Sequence, residues 1–117
     1  MAYTQARVDA ALDAANSGVA WAILHTGSPG ANGTNSQASQ SSPVEVSLSA
    51  ASSGESSGVA TFTINGAEGP YTFISLWDDS GGGSPDTFYG SGALTPEETF
   101  AGPGSLEVTI TTTASST

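Results

Sequence analysis

The chain has 117 residues, the size of one domain, and a formal charge of −10 from eleven carboxylates, one arginine and no lysine. Neutralising phosphate takes clustered Lys or Arg, so this balance excludes direct nucleic-acid binding and any pull towards an anionic membrane surface. Cysteine is absent, which excludes disulfides and thiolate metal sites and removes any need for an oxidising compartment.

The start of the chain carries Arg7, Asp9 and Asp13 and no long apolar run, so neither a signal peptide nor a membrane span is expected. Residues 5–16 predict a short helix, with Thr4 as N-cap and Gly18 as its stop. Val8, Leu12 and Ala15 share one face with Ala11 beside them, while Asp9 and Asp13 lie opposite. A helix of this length is marginal alone in water, so its apolar stripe must dock. The ordinary partner is its own domain; a neighbouring subunit is the other.

Beyond Gly18 the period changes to two. Val19, Trp21 and Ile23 alternate up to His25; Val44, Val46, Leu48 and Ala50 alternate behind Pro43. Ala60, Phe62 and Ile64 follow, ending at Asn65-Gly66, a strong turn signal. From Tyr71 to Trp77 the chain is apolar on both faces, with Tyr71, Phe73 and Trp77 on one and Ile74 and Leu76 on the other. Such a strand is central or is covered by something else. Residues 87–89 and 99–100 are shorter candidates, and Leu106, Val108 and Ile110 alternate before a Ser/Thr tail at 113–117. The pattern predicts one mainly β domain, an antiparallel sandwich of six to seven strands over about 19–112 with a short N-terminal helix.

Thr26 to Ser42 is long, polar and without apolar periodicity. Loops of that kind are mostly functional or disordered, so contacts with other chains are expected there.

Reactive chemistry is sparse. Gly54-Glu55-Ser56-Ser57-Gly58 matches the G-x-S-x-G nucleophile elbow, but that motif needs a strand before and a helix after, and here a strand follows. A hairpin loop is the better reading. His25 is the only histidine, so His-dependent catalysis rests on it; beside a Gly/Pro turn its ring more readily bonds the backbone. One histidine without cysteine argues against zinc. The Asp78–Asp86 loop gathers three carboxylates yet lacks EF-hand spacing, and Asx-turns explain it as well as Ca²⁺ does. Glu97 and Glu98 are adjacent on an extended chain and point apart, so they do not form a catalytic pair. Asn32-Gly33-Thr34 is a formal sequon without the secretory signal that would give it meaning. Trp21 and Trp77 read as core rather than as a carbohydrate platform, and of Phe88 and Tyr89 one faces in and one out.

Leu24-His25-Thr26-Gly27 with Pro29-Gly30, then Ile74-Ser75-Leu76-Trp77-Asp78, Gly81-Gly82-Gly83, Phe88-Tyr89-Gly90 and Ala93-Leu94-Thr95, resemble a family of small tailed-phage structural proteins. The resemblance spans roughly residues 5–110. It implies a virion protein with a helix attached to a β-sandwich, without cofactor, metal or catalysis, assembled in the host cytoplasm. Such proteins are described as minor capsid, head decoration or tail fibre proteins, so capsid and tail both stay open. Related chains often carry Asp before the Pro where this one has Ser28; Ser supports a similar turn, but an Asp-dependent ion site there would lack its ligand. The expectation is a decoration subunit on the capsid exterior, a homo-oligomer contacting the major capsid protein and copies of itself. Its candidate interface residues are Val8, Leu12, Ala15, Pro29, Asn32, Asn35, Phe88 and Tyr89. A carbohydrate-binding module would instead expose several aromatics together, and a hydrolase would bring His25 within reach of a serine.

Overall fold

A computed structural model describes residues 4–79 and 82–114. Helix α1, Gln5–Asn16, forms where its pattern predicts. Thr4 Oγ1 accepts the Arg7 N–H at 3.4 Å, and the chain turns at Gly18, whose φ of +89° only glycine takes without strain. Val8 and Leu12 are 6% and 5% exposed, so the apolar stripe rests on its own domain. The two aspartates opposite are not a solvated stripe. Asp9 Oδ1 accepts the Gly54 N–H at 2.7 Å, and Asp13 Oδ1 accepts the Ala51 N–H at 2.7 Å. Four residues apart, they sit one turn above one another and clip the helix to the turn below.

Six strands follow: β1 Val19–His25, β2 Val44–Glu45, β3 Glu55–Ile64, β4 Glu68–Asp78, β5 Thr87–Phe100 and β6 Gly104–Thr113. They build two antiparallel sheets, one ordered β2-β1-β4-β5 and the other β3-β6. Ala22 and Leu24 of β1, Tyr71 and Ile74 of β4, Ala60, Phe62 and Ile64 of β3, and Val108 and Ile110 of β6 form one core between them. The sandwich expected from the alternation is present, with six strands.

Two irregularities change which residues face inward. An irregularity between Val19 and Trp21 shifts the parity of β1, so Ala22 and Leu24 enter the core with Val19, and Trp21 does not. Another between Tyr71 and Phe73 puts Tyr71 on the same side as Ile74, rather than opposite as strict alternation requires. At the first, one extra residue on β1 flips every side chain beyond it; at the second, the partner moves from Glu98 to Ala93 while β4 advances from Tyr71 to Phe73, and period-2 counting sees neither.

The connections also differ from expectation. Asn65-Gly66 turns the chain, but β3 pairs with β6 along its whole length, so this turn is an arch between sheets rather than a hairpin. The hairpin lies earlier. Ser52 and Glu55 exchange backbone hydrogen bonds of 2.9 and 3.0 Å around Ser53 and Gly54, both with positive φ, the two-residue turn that matches strand twist. Ser56 and Ser57 of the G-x-S-x-G match therefore stand in β3. The short candidates at 87–89 and 99–100 are two ends of one strand, β5, whose Gly90, Gly92 and Pro96 hide it from pattern reading. An edge position tolerates the missing proline N–H.

Candidate functional site

Two places gather polar or open structure: the outer face of the four-stranded sheet, and the open side of the sandwich. The outer face carries Trp21, His25, Ser75 and Trp77, and the polar stretch between β1 and β2 folds over it. That stretch is held by its own backbone: Thr26 N donates to Ser36 O and Ala38 N to Leu24 O, both at 2.9 Å, and Asn35 N donates to Pro29 O at 3.0 Å. Pro29 is fully buried beneath it. Gly33 lies against the Phe88 ring so closely that a Cβ would sit 2.3 Å from it, and Phe88 in turn packs on Trp77 with centroids 5.4 Å apart. Contacts within the chain thus account for the order of this loop, where contacts with other chains were expected.

His25 is the keystone of that face. Its Nδ1 lies 2.7 Å from the Asn35 carbonyl oxygen, which can only accept, so Nδ1 carries the proton. Nε2 then accepts from the Ser75 hydroxyl at 2.7 Å, and Ser75 Oγ accepts from Trp77 Nε1 at 2.7 Å. The neutral ring satisfies every member of this chain. A second ring proton would leave the serine hydroxyl without an acceptor. Burial accordingly pushes the His25 pKa below its ordinary value, against the opposing pull of the Asn35 carbonyl. His25 and Ser75 are each 0% exposed. The histidine–serine proximity a hydrolase would need is present, but no side-chain carboxylate orients the ring and the serine has no route to solvent.

Glu68 anchors the far end of the loop. Its carboxylate accepts Ser39 N and Oγ at 2.9 and 2.8 Å, Gln40 N at 2.9 Å, and the Tyr71 hydroxyl at 2.8 Å. Burial alone would raise its pKa, but these donors outweigh it and hold the carboxyl below its ordinary range. Burial, with the contact to Glu68 added to it, pushes the Tyr71 phenol well up.

The second place is a groove of about 740 Å³ between β5 and β6, stopped at one end by Leu12 and Ala15 of α1. It exists because a two-stranded sheet faces a four-stranded one and leaves β5 without a strand opposite. Ile74, Leu76, Leu94 and Leu106 form its apolar floor and walls, and Glu98 and Glu107 line it as well.

The candidate interface residues therefore divide. Val8, Leu12 and Pro29 are buried by the chain itself: Val8 and Leu12 pack on their own domain, Leu12 reaching only the end of the groove, and the proline is sealed within its loop. Phe88 is half-buried on the outer face against Trp77 and Gly33 and is the more covered member of its pair. Ala15, Asn32, Asn35 and Tyr89 are exposed, Tyr89 at 45%. Ala15 and Tyr89 meet at the groove, whereas Asn32 and Asn35 lie on the loop. Ser75, Glu68 and the groove escaped sequence reading; the only hint was a polar residue inside the doubly apolar β4.

The Asp78–Asp86 loop lies partly outside the described residues. Asp79 Oδ1 accepts the N–H groups of Gly82 and Gly83 at 2.9 and 3.0 Å, as an Asx-type turn does. Among the described residues no group of three or more His, Cys, Asp or Glu could hold a metal ion, and no helix is long and apolar enough to cross a membrane. Compared with known family models, curated proteins and solved structures, the chain matches none.

Proposed function

We propose that this chain is a non-enzymatic structural subunit of a tailed-phage virion, a decoration or minor capsid protein on the outer shell that touches the major capsid protein and copies of itself. The observation that carries the reading is the separation of reactive groups from access. Acyl transfer by serine requires a substrate carbonyl at Oγ, and Ser75 is fully buried with its proton committed to His25. The surface offers instead Ser- and Thr-rich strand and an open strand edge, features suited to docking. The charge of −10 supports the same reading, since it keeps the subunit off packaged DNA. Its work is then mechanical: area buried at each joint is repeated around a closed shell. The LHTG-PG and ISLWD-GGG motifs favour this class.

A tail or tail-fibre role shares this chemistry and differs only in place. A carbohydrate module needs several aromatics exposed together, whereas Tyr89 is the one exposed aromatic among the described residues. Imaging of intact particles carrying a tagged copy tests the proposal. Density on the outer shell is the expected result; density confined to the tail transfers the role there, and a chain missing from the particle overturns both.

A further inference from the structure

The geometry points to the β5–β6 groove as the seat of an extended, lysine- or arginine-bearing segment of a partner protein, added to β6 as a third strand of the smaller sheet. This deepens the docking reading and rests on it only in requiring a partner, not a capsid.

The edges of the two sheets are not equally defended. Natural sheets protect their edges with short strands, proline, charge or a covering segment. At one end of the larger sheet β2 is two residues long, and at the other β5 contains Pro96. The outer edge of β3 is covered near its start, where Ser49 N donates to Ser57 O at 2.8 Å and Ser57 N to Ser49 Oγ at 3.1 Å. β6 is less defended, with Glu107 as its single charge and α1 reaching only its end, where Asn16 Nδ2 donates to Thr112 Oγ1 at 2.9 Å. It runs ten residues without proline, and among the described residues only β3 pairs with it. A strand laid along that edge would sit opposite β5, the one strand of the larger sheet that lacks a counterpart. Its inward side chains would cover Leu76, Leu94 and Leu106, which are only half-buried although they pack against the core. Main-chain bonds to β6 would supply affinity and the apolar floor would select alternate side chains.

Charge selects the occupant. Glu98 and Glu107 are the charged residues lining the groove, and Glu97 follows Pro96 on the same strand. A second copy of this chain would bring a further −10 and no lysine to that wall, which opposes self-pairing there. A segment alternating apolar residues with Lys or Arg meets both the floor and the rim, since cross-strand neighbours of opposite charge attract.

The test uses the full chain and two synthetic peptides, one alternating valine with lysine, the other valine with glutamate. The lysine peptide should bind and slow amide exchange along β6, and the glutamate peptide should do neither. Leu94→Lys should weaken binding of the lysine peptide about tenfold. The double change Glu98→Lys with Glu107→Lys, which leaves the apolar floor intact, should reverse the preference to the glutamate peptide. Equal binding of both peptides, no β6 protection by either, or dimers of the chain alone that protect β6 would each overturn the proposal. None of these results bears on where the chain sits in a particle, so the two readings fail separately.

Discussion

The two faces of the larger sheet are closed by different means. The inner face is covered by β3 and β6, a regular apolar layer whose side chains need only fill space. The outer face is covered by irregular chain, which has polar backbone groups to satisfy and so requires fixed acceptors and donors at fixed places. His25 and Glu68 provide them, one at each end of the loop. The regular layer tolerates an incomplete cover and leaves a groove; the irregular one is sealed, and among the described residues no buried side-chain polar atom lacks a partner. Packing is forgiving of a missing strand in a way that a hydrogen-bond chain is not of a missing member.

Substitutions on each face sharpen that contrast. Phe62→Ala, at the centre of the inner core and 0% exposed, should cost about 3–5 kcal/mol in urea unfolding, the largest effect of a single truncation here. Ser75→Ala removes a single oxygen yet strands His25 Nε2 and Trp77 Nε1, so about 2–4 kcal/mol is expected from equilibrium denaturation. A loss under 1 kcal/mol would show that the outer face is held by packing after all.

Acid separates the two anchors. The folded pKa of His25 lies below its ordinary value of 6.5, so the folded state resists protonation and stability is whole above that pH. It falls as pH drops through 6.5 and levels off below the depressed folded value. Glu68, also depressed, contributes above its ordinary 4.5 and loses that contribution as pH falls further, through its folded value. Unfolding midpoints followed from pH 8 to 3 should therefore decline in two steps, and His25→Gln should abolish the upper one.

Glu68→Gln should be milder, about 1 kcal/mol because the carboxylate is partly solvated, with faster amide exchange at Ser39 and Gln40 and none at β6. Asn32→Ala, on the exposed loop, should fall within about 0.5 kcal/mol.

Much of this architecture was legible in the residues. Helix bounds, strand alternation and the covered, doubly apolar β4 all follow from period and caps, because burial writes itself into spacing. The irregularities at Val19/Trp21, one extra residue on β1, and at Tyr71/Phe73, where the partner jumps from Glu98 to Ala93 on β5, do not, since neither leaves a compositional trace. Ser75 was hidden because serine is common here and its partner is fifty residues distant. Asp9 and Asp13 looked like a solvent face because their partners are backbone amides, which no side-chain pattern reveals. The groove is a property of strand count, 4 against 2, which only pairing decides.

The clip between α1 and the Ser52–Glu55 turn carries a consequence for synthesis. The helix meets Ala51 and Gly54 across 38 and 45 positions, and Asn16 Nδ2 meets Thr112 Oγ1 across 96. On the ribosome α1 emerges before the strands, finds its first backbone partners only once the Ser52–Glu55 turn is out and its last only with β6, so a segment made before the strands completes its contacts among the last.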